Sequence, residues 1–132
     1  MIISIIKIII SACIGLFIGR ERKSHEKAGG SRTLALVMIG STLLPIISLK
    51  LNADYNFDFT RLMAYGVAGI GFLGSGVIMK NKDHIEGLTT ASTLFVLMPL
   101  GFLVGLGYYA LAIVTSIIIY VILEQKYKWK ED

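Results

Sequence analysis

Four stretches of this 132-residue chain carry residue types and spacings that could do chemistry. Gly69-Ile70-Gly71-Phe72-Leu73-Gly74 matches the GxGxxG pattern that cradles a pyrophosphate. Gly19-Arg20-Glu21-Arg22 sets a carboxylate between guanidinium groups, shortly before a Gly29-Gly30-Ser31-Arg32-Thr33 turn. Gly87-Leu88-Thr89-Thr90-Ala91 places two hydroxyls just after a glycine. His25 and His84, with the lone Cys13, are the only other classical ligands or bases besides carboxylates. Whether any of these works as a site depends on the elements that carry it.

Those elements are set by lipid. The chain is 55% hydrophobic and only 17% charged, with a mean hydropathy of +0.72. A soluble domain keeps about 25% charged residues, and a disordered chain keeps more. Charge-free gaps run from Thr33 to Leu49 (17 residues), Leu62 to Met79 (18) and Gly87 to Leu123 (37). Crossing a hydrocarbon core takes about 20 helical residues. The long gap would reach about 55 Å as one helix, so it must fold back, and Gly105-Leu106-Gly107 is the expected turn. The reading is all-α: one polytopic membrane domain over 1–132, with five spans at about 1–19, 32–49, 61–79, 88–105 and 108–123. Ten Lys and Arg fall on one side of these spans, and Lys50 and Arg61 alone on the other. This predicts an outside N-terminus and a cytoplasmic C-terminus. The net charge of +4 then reflects topology, and no nucleic-acid partner is expected.

A membrane setting changes the meaning of each motif. The dinucleotide fingerprint needs a strand, a helix and an acidic residue about 20 positions on, in a soluble sheet; here it is rejected. Gly66, Gly69, Gly71, Gly74 and Gly76 allow two other readings. In one they let neighbouring helices approach a central span from several sides. In the other they interrupt a helix whose backbone lines a site. Ser11, Gly15 and Gly19 form a small-residue stripe on span 1, and Gly101 and Gly105 form another on span 4. Either stripe could serve internal packing or a homo-oligomer. Ser31 is expected at the N-cap of span 2. Spans 2 and 4 would then present two helix N-termini at the cytoplasmic face, where a carboxylate is favoured. Glu21 is the candidate, paired with Arg32 and close to Thr89 and Thr90.

Several classes lose support. Ile10-Ser11-Ala12-Cys13 looks like a lipoprotein processing box, but Lys7 leaves only Ile8 to Ile10 as its apolar region, against 7–15 residues for a cleaved signal. Cys13 is read as a small apolar residue, and Lys7 as snorkelling to the outer interface. The two histidines fall in different loops and no nucleophile–base pair stands out, so no enzyme is expected. No carboxylate lies within a span. Proton relays and cation paths usually carry one, and Mg²⁺ surrenders its water reluctantly. No cofactor is expected, and the pattern does not indicate a bound magnesium ion.

Taken in order and spacing, Gly19-Arg20-Glu21-Arg22, Gly30-Ser31-Arg32-Thr33, the Gly69–Ile78 run and Gly87-Leu88-Thr89-Thr90-Ala91 resemble the MgtC/SapB membrane-protein family, across nearly the whole chain. Ser31, Arg20 and Phe95 depart from the family's usual aliphatic residue, hydrophobe and tryptophan at those places. Many relatives add a cytoplasmic C-terminal domain, whereas this chain ends about nine residues after span 5. The resemblance implies a multi-pass protein of a prokaryotic plasma membrane, from a family tied to growth under magnesium limitation and to survival in host cells. It further implies a role in magnesium or ion homeostasis, as a regulator that binds membrane proteins or as a transporter or channel. The expected functional cluster is Glu21, Arg22, Arg32, Thr33, Thr89 and Thr90, near Gly71, Gly74 and Gly76. If Glu21 and Arg32 form a pair, Glu21→Gln and Arg32→Gln lower the melting temperature in detergent to a similar extent. A silent Glu21→Gln beside a ruinous Arg32→Gln refutes the pairing.

Overall fold

The computed structural model describes residues 1–24, 30–55, 58–80 and 85–125, with 21–24 described by their backbone alone. The described residues form an all-α bundle of five helices: α1 Ile2–Ser24, α2 Ser31–Tyr55, α3 Phe59–Gly76, α4 Leu88–Leu106 and α5 Tyr109–Gln125. They follow the five expected spans, except that α1 runs on through Arg20–Lys23, α2 runs on past Lys50 and α3 stops short of the expected residue 79. Helices α1, α2 and α4 are long and apolar enough to cross a membrane. Between α3 and α4 a short antiparallel ladder pairs β1 (Met79–Lys80) with β2 (Ile85–Glu86).

Helix α2 is the central mast. Antiparallel α1 meets it at glycine: a Cβ added to Gly15 would lie 2.6 Å from the Ala35 Cα, and one on Gly19 would strike the Ser31 Cα. Parallel α4 meets it on another side, where a Cβ on Gly101 would strike Ser41, and one on Gly105 would strike the Pro45 ring and lie 2.7 Å from the Thr42 carbonyl oxygen. Helix α3 approaches through Gly66, against the Leu44 side chain. Both stripes singled out in the sequence are thus used inside the fold, in helix-to-helix contact. Leu34, Met38, Leu94, Leu97, Leu100 and Val104 fill the core between α2 and α4. Helix α5 closes on this core with Ala112, Ile119 and Leu123, and Tyr120 stacks on Phe17 of α1 with ring centroids 4.5 Å apart.

The α4–α5 turn is a Schellman cap on Gly107, whose φ is +93°. The Tyr108 amide donates to the Leu103 carbonyl (2.8 Å) and the Gly107 amide to that of Val104 (3.1 Å). The Gly105 carbonyl accepts a hydrogen bond from the Lys7 ammonium instead, at 2.7 Å. Lys7 therefore does more than snorkel. It is half-buried and satisfies a helix C-terminus, where a cation is favoured. At the start of α3, Asp58 caps the helix by accepting from the Thr60 amide (3.1 Å) and hydroxyl (2.7 Å). The Thr60 hydroxyl, more than Arg61, holds the Asp58 carboxyl below its usual pKa. That cap is intact at neutral pH and is lost when acid protonates the group.

Gly101→Leu should lower the melting temperature in detergent sharply, since overpacking costs about 1–3 kcal/mol and Ser41 backs that site in α2. Gly40→Ala, where an added Cβ meets nothing within 4 Å, should leave it unchanged or raise it. Equal melting temperatures for the two variants would contradict the α2–α4 contact.

Candidate functional site

Two pairs of motif-bearing segments meet at the same end of the bundle. The end of α1 meets the start of α2, where the Ser31 hydroxyl donates to the Gly19 carbonyl (2.9 Å) and the absent Gly19 side chain admits the Ser31 Cα. Ser31 is therefore not the N-cap expected from the sequence. The Gly30 carbonyl accepts from the Leu34 amide (3.2 Å), which makes Ser31 the first helical residue and frees its hydroxyl to tie α2 to α1. Arg32 and Thr33 are exposed in the first turn of α2. The backbone of Glu21 and Arg22 lies in the last turn of α1, while their side chains, and with them the proposed Glu21–Arg32 pair, lie outside the described residues, as do His25 and His84.

The end of α3 meets the start of α4. Helix α3 is continuous over Phe59–Gly76, so the interrupted-helix reading does not hold there. Its end is set at Val77, whose amide donates to the Gly74 carbonyl (3.3 Å), while the Ile78 amide donates to that of Ser75 (3.3 Å). Gly87 then opens α4 with φ +85° and no side-chain cap. A Cβ at Gly87 would collide with the Val77 carbonyl, so the chain can turn into α4 only through glycine. Thr90 is buried and Thr89 half-buried in the first turn of α4. The Thr93 hydroxyl donates to the Thr89 carbonyl (2.7 Å) and that of Ser92 to Leu88 (2.9 Å). Continuing the α2–α4 register from Ser41–Gly101 and Pro45–Gly105 sets Ser31 level with Ala91, so both segment pairs lie at one depth.

Between α3 and α4 runs an open, mostly apolar groove of about 440 Å³. Gly71, Gly74 and Ser75 supply one wall and Leu88, Ala91 and Ser92 the other, with Phe95, Ile70 and Ile78 completing it. The glycine run divides by role. Gly66 and Gly74 pack, against Leu44 and against Ala91 (3.7 Å), whereas a Cβ on Gly69, Gly71 or Gly76 would meet nothing within 4 Å. The expected central helix, contacted on several sides, is therefore α2, and α3 sits at the edge. Sequence reasoning did not find the groove. The small residues Gly74 and Ala91, each inside a motif, were the available signal.

Comparison with known proteins covers nearly the same stretch. A family model described as MgtC family matches residues 8–131. YhiD of Escherichia coli (strain K12), named provisionally as a magnesium transporter, is 36% identical over 126 residues, covering 91% of this chain and 59% of that protein. Protein MgtC of Salmonella typhimurium (strain LT2) is 37% identical over 115 residues, covering 87% and 48%. The uncharacterized protein slr0014 of Synechocystis is 36% identical over 118 residues, covering 89% and 50%. The chain thus spans about half the length of the curated relatives it matches. No solved structure matches it.

Gly87→Ala should strongly reduce the yield of folded protein, because a left-handed alanine costs about 1–2 kcal/mol before its collision with Val77. Gly76→Ala, eleven residues earlier and open, should fold normally. Size-exclusion chromatography in detergent compares them, and a monodisperse Gly87→Ala protein would contradict this turn.

Proposed function

Since this chain belongs to the MgtC family, we propose that it serves magnesium or ion homeostasis as a regulatory module of the prokaryotic plasma membrane. It would act by binding a transmembrane helix of another membrane protein. In this reading its N-terminus is outside and the ends bearing Arg32 and Thr89 are cytoplasmic, in keeping with the ten-to-two division of Lys and Arg. The family supports the homeostatic role, and the name of YhiD, a provisional magnesium transporter, ties a relative to the same ion.

The α3–α4 groove carries the regulatory half of the proposal. It is open, its lining is mostly apolar, and the motif glycines Gly71 and Gly74 line it without filling it. Its two serines already donate to carbonyls of their own helices, Ser75 to Phe72 (2.8 Å) and Ser92 to Leu88 (2.9 Å). Such a surface suits an apolar helix, held by close contact. A hydrated cation would find few oxygens there to replace its water.

The second reading, transport, draws on a different observation: α2 and α4 begin at one end of the bundle, with Arg32 and Thr33 exposed in the first turn of α2. Helix N-termini favour anions. Two experiments separate the readings. Gly71→Leu puts a side chain into the groove at a position where its Cβ meets nothing within 4 Å, so it should abolish growth support under magnesium limitation while melting temperature and membrane level stay normal. Purified protein in liposomes should pass no ion or small solute. Flux that Arg32→Ala abolishes, together with a fully active Gly71→Leu, would establish transport and refute regulation.

A further inference from the structure

The flank where α1 and α2 meet ends in two guanidinium groups that face no described counter-ion. The helices are antiparallel and touch at Gly19 and Ser31, where a Cβ on the glycine would strike the Ser31 Cα. Arg20 follows the first contact residue and Arg32 the second. A right-handed step of about 100° from that contact, taken along antiparallel axes, sends both to the same side of the helix pair. Along the axis they are offset by one residue on each helix, about 3 Å in all. Both are exposed. The ion pair between described residues joins Arg61 to Asp58, and neither Arg20 nor Arg32 has a described carboxylate partner. Like charges held this close repel, and the glycine contact that brings them together is built into the packing of α1 on α2.

Below the two arginines the same flank is apolar. Leu16 lies four residues before Arg20, and Leu36 four after Arg32, each one turn deeper on the same face of its helix. They are 46% and 69% exposed. Ile9, three turns from Arg20 on α1, is exposed as well. A cationic head above an open apolar strip fits a molecule with an anionic head and a long chain. An acidic protein segment would answer the charge and leave the strip unexplained. Adjacent guanidinium forks also match the oxygens of a phosphate, which they bind bidentately. We propose that Arg20 and Arg32 together hold the phosphate of an anionic phospholipid whose acyl chain lies along Leu16, Leu36 and Ile9. The site uses no residue of the α3–α4 groove, so it stands apart from the regulatory reading.

Native mass spectrometry of the full chain, released from micelles doped equally with phosphatidylglycerol and phosphatidylcholine, reads the preference. Both lipids carry a phosphate, but choline cancels its charge. The parent should retain phosphatidylglycerol over phosphatidylcholine by about tenfold. Arg20→Gln/Arg32→Gln should bring that ratio to about one, with circular dichroism like that of the parent because both side chains are exposed. Lys50→Gln/Lys80→Gln removes the same charge from exposed positions elsewhere and should keep the parent ratio. Excess inorganic phosphate should not displace the lipid, because it has no chain to lay on the strip. A parent without preference, a preference that survives in the arginine double variant, or one lost equally in the lysine double variant overturns the proposal. So does displacement by inorganic phosphate, which would mark a free-anion site instead.

Discussion

The fold depends on how closely other helices come to α2. Within a bilayer no hydrophobic effect draws helices together, because a lipid tail is as apolar as a leucine. What remains is dispersion over closely fitted surfaces and the hydrogen bonds that such closeness allows. Helices α1, α4 and α3 all meet α2 at glycine, through Gly15 and Gly19, Gly101 and Gly105, and Gly66. The same bareness makes the glycine carbonyls reachable. Ser31 donates to Gly19, Thr42 to Gly101 (3.2 Å) and Lys7 to Gly105. In each case the missing side chain supplies both the approach and the acceptor. Other hydroxyls turn back on their own helices, as Ser41 does to Val37 (2.7 Å) and Ser11 to Ile8 (2.9 Å).

Helix ends impose the second constraint. Each leaves backbone groups that lipid cannot satisfy. The Gly107 turn disposes of the Leu103 and Val104 carbonyls by its own geometry, and a lysine almost a hundred residues away takes that of Gly105. A lysine within an apolar helix would otherwise be a liability. Here its charge meets the negative end of α4, which ties the first helix to the α4–α5 turn.

Most of this architecture was legible in the amino-acid order, for a physical reason: charges are excluded from the membrane core, so the gaps between Arg32 and Lys50 or between Arg61 and Lys80 locate the helices, although α2 runs on to Tyr55 and α3 stops at Gly76. The Gly105-Leu106-Gly107 turn was legible because 37 uncharged residues cannot stay extended in one span. Spacing also singled out the stripes of α1 and α4. Partners were not legible. Nothing local to Lys7 names Gly105, and nothing local to Ser31 says that its hydroxyl serves α1 and not its own helix. Both depend on three-dimensional register that single-helix periodicity does not contain. The groove was hidden for the same reason, since each motif supplies only one wall.

Helix α3 shows what a glycine run means when it is divided by use. Gly66 and Gly74 are explained by Leu44 and Ala91, but Gly69, Gly71 and Gly76 bring no gain to the isolated chain and weaken the helix that holds them. Proteins stay folded by narrow margins, so a sequence shaped by folding alone would have alanine or leucine at such positions. Gly71 opens toward α4 and the groove, while Gly69 and Gly76 open the other way with Phe72 between them. One helix therefore presents two bare faces on opposite sides. The least covered of the described helices is also the one that carries the most glycines facing open space.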